Sequence, residues 1–144
     1  MGTYLSLSRI KKDDSYVTET NQDYVVVDFD LKENFFVEYI DTLKPINNGI
    51  YNLMEDESLQ EEIGLNESNF LFFTMAGSFE DGENVTIFFE PEPILKTFDI
   101  INDNREKLTS SRLFEVSNWT TVDECTDFLK KAVSDNNLVQ FYWQ

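Results

Sequence analysis

Carboxylates are the chemistry this chain supplies in quantity: 28 Asp and Glu stand against 11 Lys and Arg, with no histidine and a single cysteine. Two carboxylates facing one substrate can hydrolyse a bond by acid–base chemistry. Asp28 with Asp30, and Glu90 with Glu92, have the strand spacing that would project both groups to one side. In so acidic a chain such pairs recur by chance and do not mark an active centre. The absence of histidine removes the commonest general base, the commonest metal ligand and every imidazole triad. One cysteine without histidine cannot build a structural zinc site. Cys125 falls on an apolar stripe, which predicts a core thiol. The five glycines (Gly2, Gly49, Gly64, Gly77, Gly82) are scattered, so no phosphate-cradling loop exists. Glu80-Asp81-Gly82-Glu83-Asn84 offers oxygens around a turn but lacks the twelve-residue calcium loop. The sequence therefore predicts no enzyme, no cofactor and no metal.

The distribution of charge is more informative than any pair. Residues 45–95 contain no Lys or Arg, yet carry eleven carboxylates: Glu55, Asp56, Glu57, Glu61, Glu62, Glu67, Glu80, Asp81, Glu83, Glu90 and Glu92. Phe70-Leu71-Phe72-Phe73 and Ile87-Phe88-Phe89 interrupt that block and must be buried, so a folded surface has to hold the field. A net charge of −17 costs stability by self-repulsion and attracts cationic partners. Solubility alone is the plainer use of such charge. Direct nucleic-acid binding is opposed by sign, because phosphates need a basic patch and only Lys11-Lys12 and Lys130-Lys131 are adjacent.

The elements that must carry these acids read as follows. Thr3–Ile10 is a predicted strand, 11–21 a polar loop and Asp23–Asp30 a second strand. Asp30 with Glu33 predicts a helix whose apolar face is Phe35, Phe36, Tyr39, Ile40 and Leu43, ended by Pro45. Residues 50–54 are ambiguous. Ser58–Ile63 is a short acidic helix stopped by Gly64, with Leu59, Ile63 and Leu65 as its anchors. Asn69–Ala76 and Asn84–Glu90 read as a hairpin with 77–83 as its loop. Pro91 and Pro93 open a helix bearing Ile94, Leu95, Phe98, Ile101 and Leu108. Arg112–Ser117 reads as a strand, Thr121 and Glu124 as the capping box of a last helix, and Leu138–Trp143 as a closing strand. Mixed hairpins and helices predict an α+β fold, a mixed and mostly antiparallel sheet with helices on one face.

Residues 1–144 form one domain in this reading, and the 13 Phe, 6 Tyr and 2 Trp exclude a disordered chain. The lone cysteine favours a reducing compartment, the cytoplasm. No apolar run is long enough to span a membrane and no signal-peptide pattern opens the chain. The three glycosylation sequons at Asn66, Asn84 and Asn118 then carry no meaning. Met1-Gly2-Thr3-Tyr4-Leu5-Ser6 matches a myristoylation pattern but equally the start of the first strand.

Two contact surfaces are expected: the acids of the short helix (Glu55, Asp56, Glu57, Glu61, Glu62), and the loop that sets Phe79 beside Glu80, Asp81 and Glu83. An aromatic anchor ringed by carboxylates is the form of a hot spot for a cationic partner. Tyr51, Trp119 and Trp143 either serve similarly or cap the core edge. Small acidic α+β proteins without catalytic machinery resemble the immunity proteins of bacterial polymorphic and contact-dependent toxin systems. The opening Met1-Gly2-x-Tyr4-Leu5 and the aromatic close ending in Gln144 look like those of one family of predicted immunity proteins. What the resemblance implies is a cognate basic toxin, commonly a nuclease, neutralised by occlusion of its active site or substrate groove. The alternatives are a nucleic-acid mimic directed at a host or phage DNA-binding or CRISPR protein, and a general protein-interaction domain.

Overall fold

Alternation along the strands explains the sheet. Leu7, Phe89, Val139 and Phe141 point to one side and pack with the helices, while Ile10, Val25, Val27, Phe88 and Leu138 form a separate buried cluster on the other. The computed structural model describes residues 5–12, 17–20, 22–28, 38–46, 48–74, 85–112, 114 and 116–143. Its strands are β1 (Leu5–Ile10), β2 (Val17–Thr20), β3 (Tyr24–Asp28), β4 (Tyr39–Ile46), β5 (Val85–Phe89) and β6 (Leu138–Trp143). They form one sheet in the order β2-β3-β5-β6-β1-β4, and every pairing is antiparallel. The helices are α1 (Asn48–Met54), α2 (Glu57–Ile63), a 3-10 turn (Glu67–Phe70) continuing into α3 (Leu71–Thr74), α4 (Pro91–Asp103), α5 (Arg105–Ser110) and α6 (Val116–Ser134). The result is a single α+β domain with helices packed against an antiparallel sheet.

The last strand lies inside the sheet, between β5 and β1. That position suits its sequence, because Leu138, Val139 and Phe141 are fully buried although they fall on both faces. Aromatic rings then connect the sheet to the helical layer. Phe141 meets Phe89 edge-on at 5.7 Å and Phe72 at 5.0 Å, and Phe72 reaches Phe98 at 6.1 Å and Phe70 at 6.3 Å.

Several expectations are corrected. The helix expected over 30–45 is, from Tyr39 onward, the edge strand β4; residues 29–37 lie outside the described ones. Tyr39 and Ile40, expected inward, are 52% and 45% exposed. Pairing with β1 overrides the helical spacing, and Pro45 is tolerated because an edge strand leaves one row of N–H groups unused. The strand expected at 69–76 is helical through Thr74, so there is no hairpin with β5, which pairs β3 and β6 instead. An all-apolar run has no periodicity to read; the cap at Asn66 begins the helical turn, and burial of Phe70 and Phe72 in the aromatic core carries it on. Within the expected loop 11–21, residues 17–20 form β2. The strand expected at 112–117 is not formed: Arg112 takes a positive φ of 68° and α6 starts at Val116, placing Thr121 and Glu124 inside that helix. Trp119 is core, stacked on Phe114 at 4.8 Å, with its indole N–H donating to Thr109 Oγ1 at 2.8 Å.

One buried charge fastens the layers. Arg9, on the helix-facing side of β1, is 3% exposed. Its Nε and Nη2 donate to the two Asp41 oxygens at 2.7 and 3.0 Å, and its Nη1 donates to Asp135 at 2.9 Å and Asn137 at 3.0 Å. The hydrogen bond from Arg9 holds the Asp41 carboxyl below its ordinary pKa. A depressed carboxyl stabilises the fold above its unfolded-state pKa, and that stabilisation is lost as pH falls through the folded value. Asp41→Asn should cost about 1–2 kcal/mol at neutral pH, between the values for an exposed and a fully buried pair because Asp41 itself is partly solvated. The gap between the urea midpoints of the two proteins should begin to close as pH falls below about 4, the unfolded-state value, and vanish only below the depressed folded value, where wild-type Asp41 also becomes neutral. A gap that persists in acid contradicts this account.

Candidate functional site

The acidic segment is built from short helices that could not stand alone. Asp56 is the N-cap of α2, its Oδ1 accepting from the Leu59 N–H at 2.9 Å. Gly64 ends the helix at φ 89°, a left-handed conformation that favours glycine, with its N–H turned back to the carbonyls of Gln60 and Glu61. Leu59, Ile63 and Leu65 are buried, as expected of its anchors. Gln60 is also buried, and its Nε2 donates to the carbonyls of Leu53 and Met54, both at 2.7 Å. That side chain therefore closes the end of α1 and fixes α2 against it. Asn66 then caps the 3-10 turn, accepting from the Ser68 N–H while the Asn69 side chain accepts from the Asn66 N–H. Phe70 and Phe72 drive the end of the segment into the aromatic core.

Between α2 and the 3-10 turn lies a pocket of about 490 Å³. Met54, Leu65 and Phe70 supply its apolar wall, Gln60 and Asn66 its neutral polar atoms, and Glu57, Glu61 and Glu67 its carboxylates. Glu57 and Glu61 are one helical turn apart on the same face of α2, which places like charges side by side. Glu62, next in sequence, faces elsewhere and pairs with Lys107 at 3.2 Å. Glu55 and Asp56 border an adjoining open concavity with Asn52 and Ser58. The expected acids of the short helix thus divide: Glu57 and Glu61 line the pocket, Glu55 and Asp56 flank it, Asp56 also caps, and Glu62 is paired. Glu67 was not among the expected contact residues, because a strand was expected to start just after it. The Asn66–Asn69 capping pair is the sequence signal that would have placed it at a helical start. Phe79, Glu80, Asp81 and Glu83 lie outside the described residues, as do the oxygens of the 80–84 turn.

The remaining chemistry is quiet. Burial pushes the Cys125 thiol up to about 12, with Glu124 adding to the shift, so it is not a thiolate nucleophile. Glu90 precedes α4 and pairs with Lys12 at 3.0 Å, while Glu92 is exposed in the first helical turn, so the pair is not at strand spacing. Among the described residues no group of three or more acids and cysteines is placed to hold a metal ion, and no helix is long and apolar enough to cross a membrane. No protein-family model, curated protein or solved structure matches the chain.

Substitution at either end of α2 should cost stability, each for its own reason. Asp56→Ala removes a cap and should cost about 1 kcal/mol. Gly64→Ala should cost about 1 kcal/mol through backbone conformation alone, since an added Cβ meets no atom within 4 Å. Chemical denaturation of both variants checks this. A Gly64→Ala protein as stable as wild type contradicts the left-handed cap.

Proposed function

We propose that this protein is an inhibitor that binds a basic protein and neutralises it, in the manner of an immunity protein acting on a cognate toxin. One observation carries the reading: among the described residues, the cations that form ion pairs do so with acids outside the pocket. Among the described residues the ion pairs are Arg9 with Asp41 and Asp135, Lys11–Glu38, Lys12–Glu90, Arg105–Asp123 and Lys107–Glu62. Glu55, Glu57, Glu61 and Glu67 appear in none of them, and all four are exposed. Unrelieved like charges on one short segment weaken the free protein and strengthen its attraction for a cationic surface. A nuclease is the class of toxin that fits best, because its substrate groove is itself basic and carboxylates can stand where phosphates would bind.

Co-expression with the product of the adjacent reading frame tests the function directly. Rescue of growth and recovery of a one-to-one complex are expected; toxicity undiminished, with no complex formed, would sink the proposal. The association rate of that complex should fall steeply as the Debye length shrinks from about 10 Å at 0.1 M salt to about 3 Å at 1 M.

Neighbouring glutamates give an internal comparison. Glu61→Gln removes repulsion with Glu57 and should raise stability by about 0.2–0.5 kcal/mol while slowing association. Glu62→Gln removes an exposed pair worth about 0–1 kcal/mol, so its stability should stay level or fall. Thermal melts beside stopped-flow association read both effects. A loss of stability in Glu61→Gln with an unchanged rate assigns that carboxylate to the fold instead.

A further inference from the structure

We propose that the crevice between the 3-10 turn, the start of α4 and the sheet binds a free aromatic amino acid, a small-molecule site separate from the pocket of the acidic segment. Its inner chamber, about 180 Å³, is walled by Leu71, Phe72, Phe89 and Ile94, with Asn69 and Thr97 supplying neutral polar atoms. Phe72, Phe89 and Ile94 belong to the buried core, yet here they border open space. Packed interiors hold few voids larger than a water molecule. An apolar cavity of about 150 Å³ accommodates one benzene ring. The chamber therefore matches a ring-sized group.

Outside it lies a wider concavity of about 560 Å³, which shares Gln22, Asp23 and Pro93 with the chamber. On its rim Lys12 and Glu90 satisfy each other at 3.0 Å. Glu92 and Lys96 do not. They stand one turn apart on α4, in the order that favours an ion pair, but neither joins any ion pair among the described residues. The rim thus offers one uncommitted charge of each sign, about 5–6 Å apart at Cβ. A free amino acid brings its ammonium to Glu92 and its carboxylate to Lys96 from a single carbon, while its ring enters the chamber. Pro91 and Pro93 offer no N–H at the start of α4, so the carboxylate depends on Lys96. A bare anion is opposed by the net charge of −17, whereas a zwitterion is not. A residue inside a polypeptide lacks both charges, which makes the ligand a free amino acid.

Backbone amide NMR of the full chain, titrated with L-phenylalanine, tests the site. Saturable shifts should concentrate at residues 68–72 and 89–97. Phenethylamine, which lacks the carboxylate, and hydrocinnamate, which lacks the ammonium, should each bind about fivefold more weakly, the factor for one exposed ion pair. Glycine, which lacks the ring, should not bind. Lys96→Gln is a surface change that leaves the fold intact, and it should weaken phenylalanine by the same factor without affecting phenethylamine. Glu92→Gln should weaken phenylalanine without affecting hydrocinnamate. The assignment is overturned by the absence of saturable shifts at millimolar phenylalanine, by shifts centred on residues 55–67, by binding of glycine, or by analogues that bind as tightly as phenylalanine.

Discussion

The Arg9 guanidinium is out of water, and its charge is tolerable only because Asp41, Asp135 and Asn137 converge on it. Those three partners come from the edge strand β4 and from the end of α6 with the turn that follows it. A single side chain therefore ties the first strand to the edge of the sheet, and ties both to the helix that delivers the last strand to its place beside β1. The Phe128 ring stands 5.9 Å from the same guanidinium and completes the enclosure. If that charge lost its partners, β6 would lose the fixed approach that lets it enter between β5 and β1. The aromatic contacts from Phe141 to Phe72, and from Phe72 to Phe70, depend on that entry.

The same economy of cations shapes the surface. With 11 bases for 28 acids, most carboxylates must be left without an ionic partner, and position decides which. Arg105 is held over the Trp119 ring at 4.5 Å and bonded to Asp123, Lys12 is bonded to Glu90, and Lys107 to Glu62. These contacts gather positive charge on the elements around the acidic segment and not within it. The segment itself is kept folded by the Asp56 and Asn66 caps, the Gly64 turn, the Gln60 amide and a few buried apolar residues. Of its carboxylates, Asp56 caps α2 and Glu62 pairs with Lys107, while Glu55, Glu57, Glu61 and Glu67 take part in no ion pair among the described residues.

What was legible in the sequence followed from local physics. The strands at 5–10, 24–28 and 138–143, the helix opened by Pro91 and Pro93, and the acidic helix ended by Gly64 are each specified by residues within a few positions of one another. Strand alternation, proline at a helix start and glycine in a left-handed cap act over one turn or one pleat, so a linear reading reaches them. The acidity of residues 55–67 was equally plain, as was the absence of histidine.

What the sequence could not decide was anything set by a distant partner. Tyr39, Ile40 and Leu43 fit a helix by spacing, and only hydrogen bonding with β1 makes that stretch a strand. Phe70-Leu71-Phe72-Phe73 has no periodicity, so burial against Phe98 and Phe141 had to determine what the cap at Asn66 begins. The division among adjacent glutamates is the clearest case. Composition treats Glu61 and Glu62 alike, but a helix turns about 100° per residue. One carboxylate therefore faces the pocket with Glu57 and Glu67, and the other faces Lys107. The sequence by itself determined how much negative charge this protein carries and roughly where along the chain. Only the tertiary structure decided which charges are neutralised and which enclose an open pocket, because that depends on the direction of each side chain in the packed molecule.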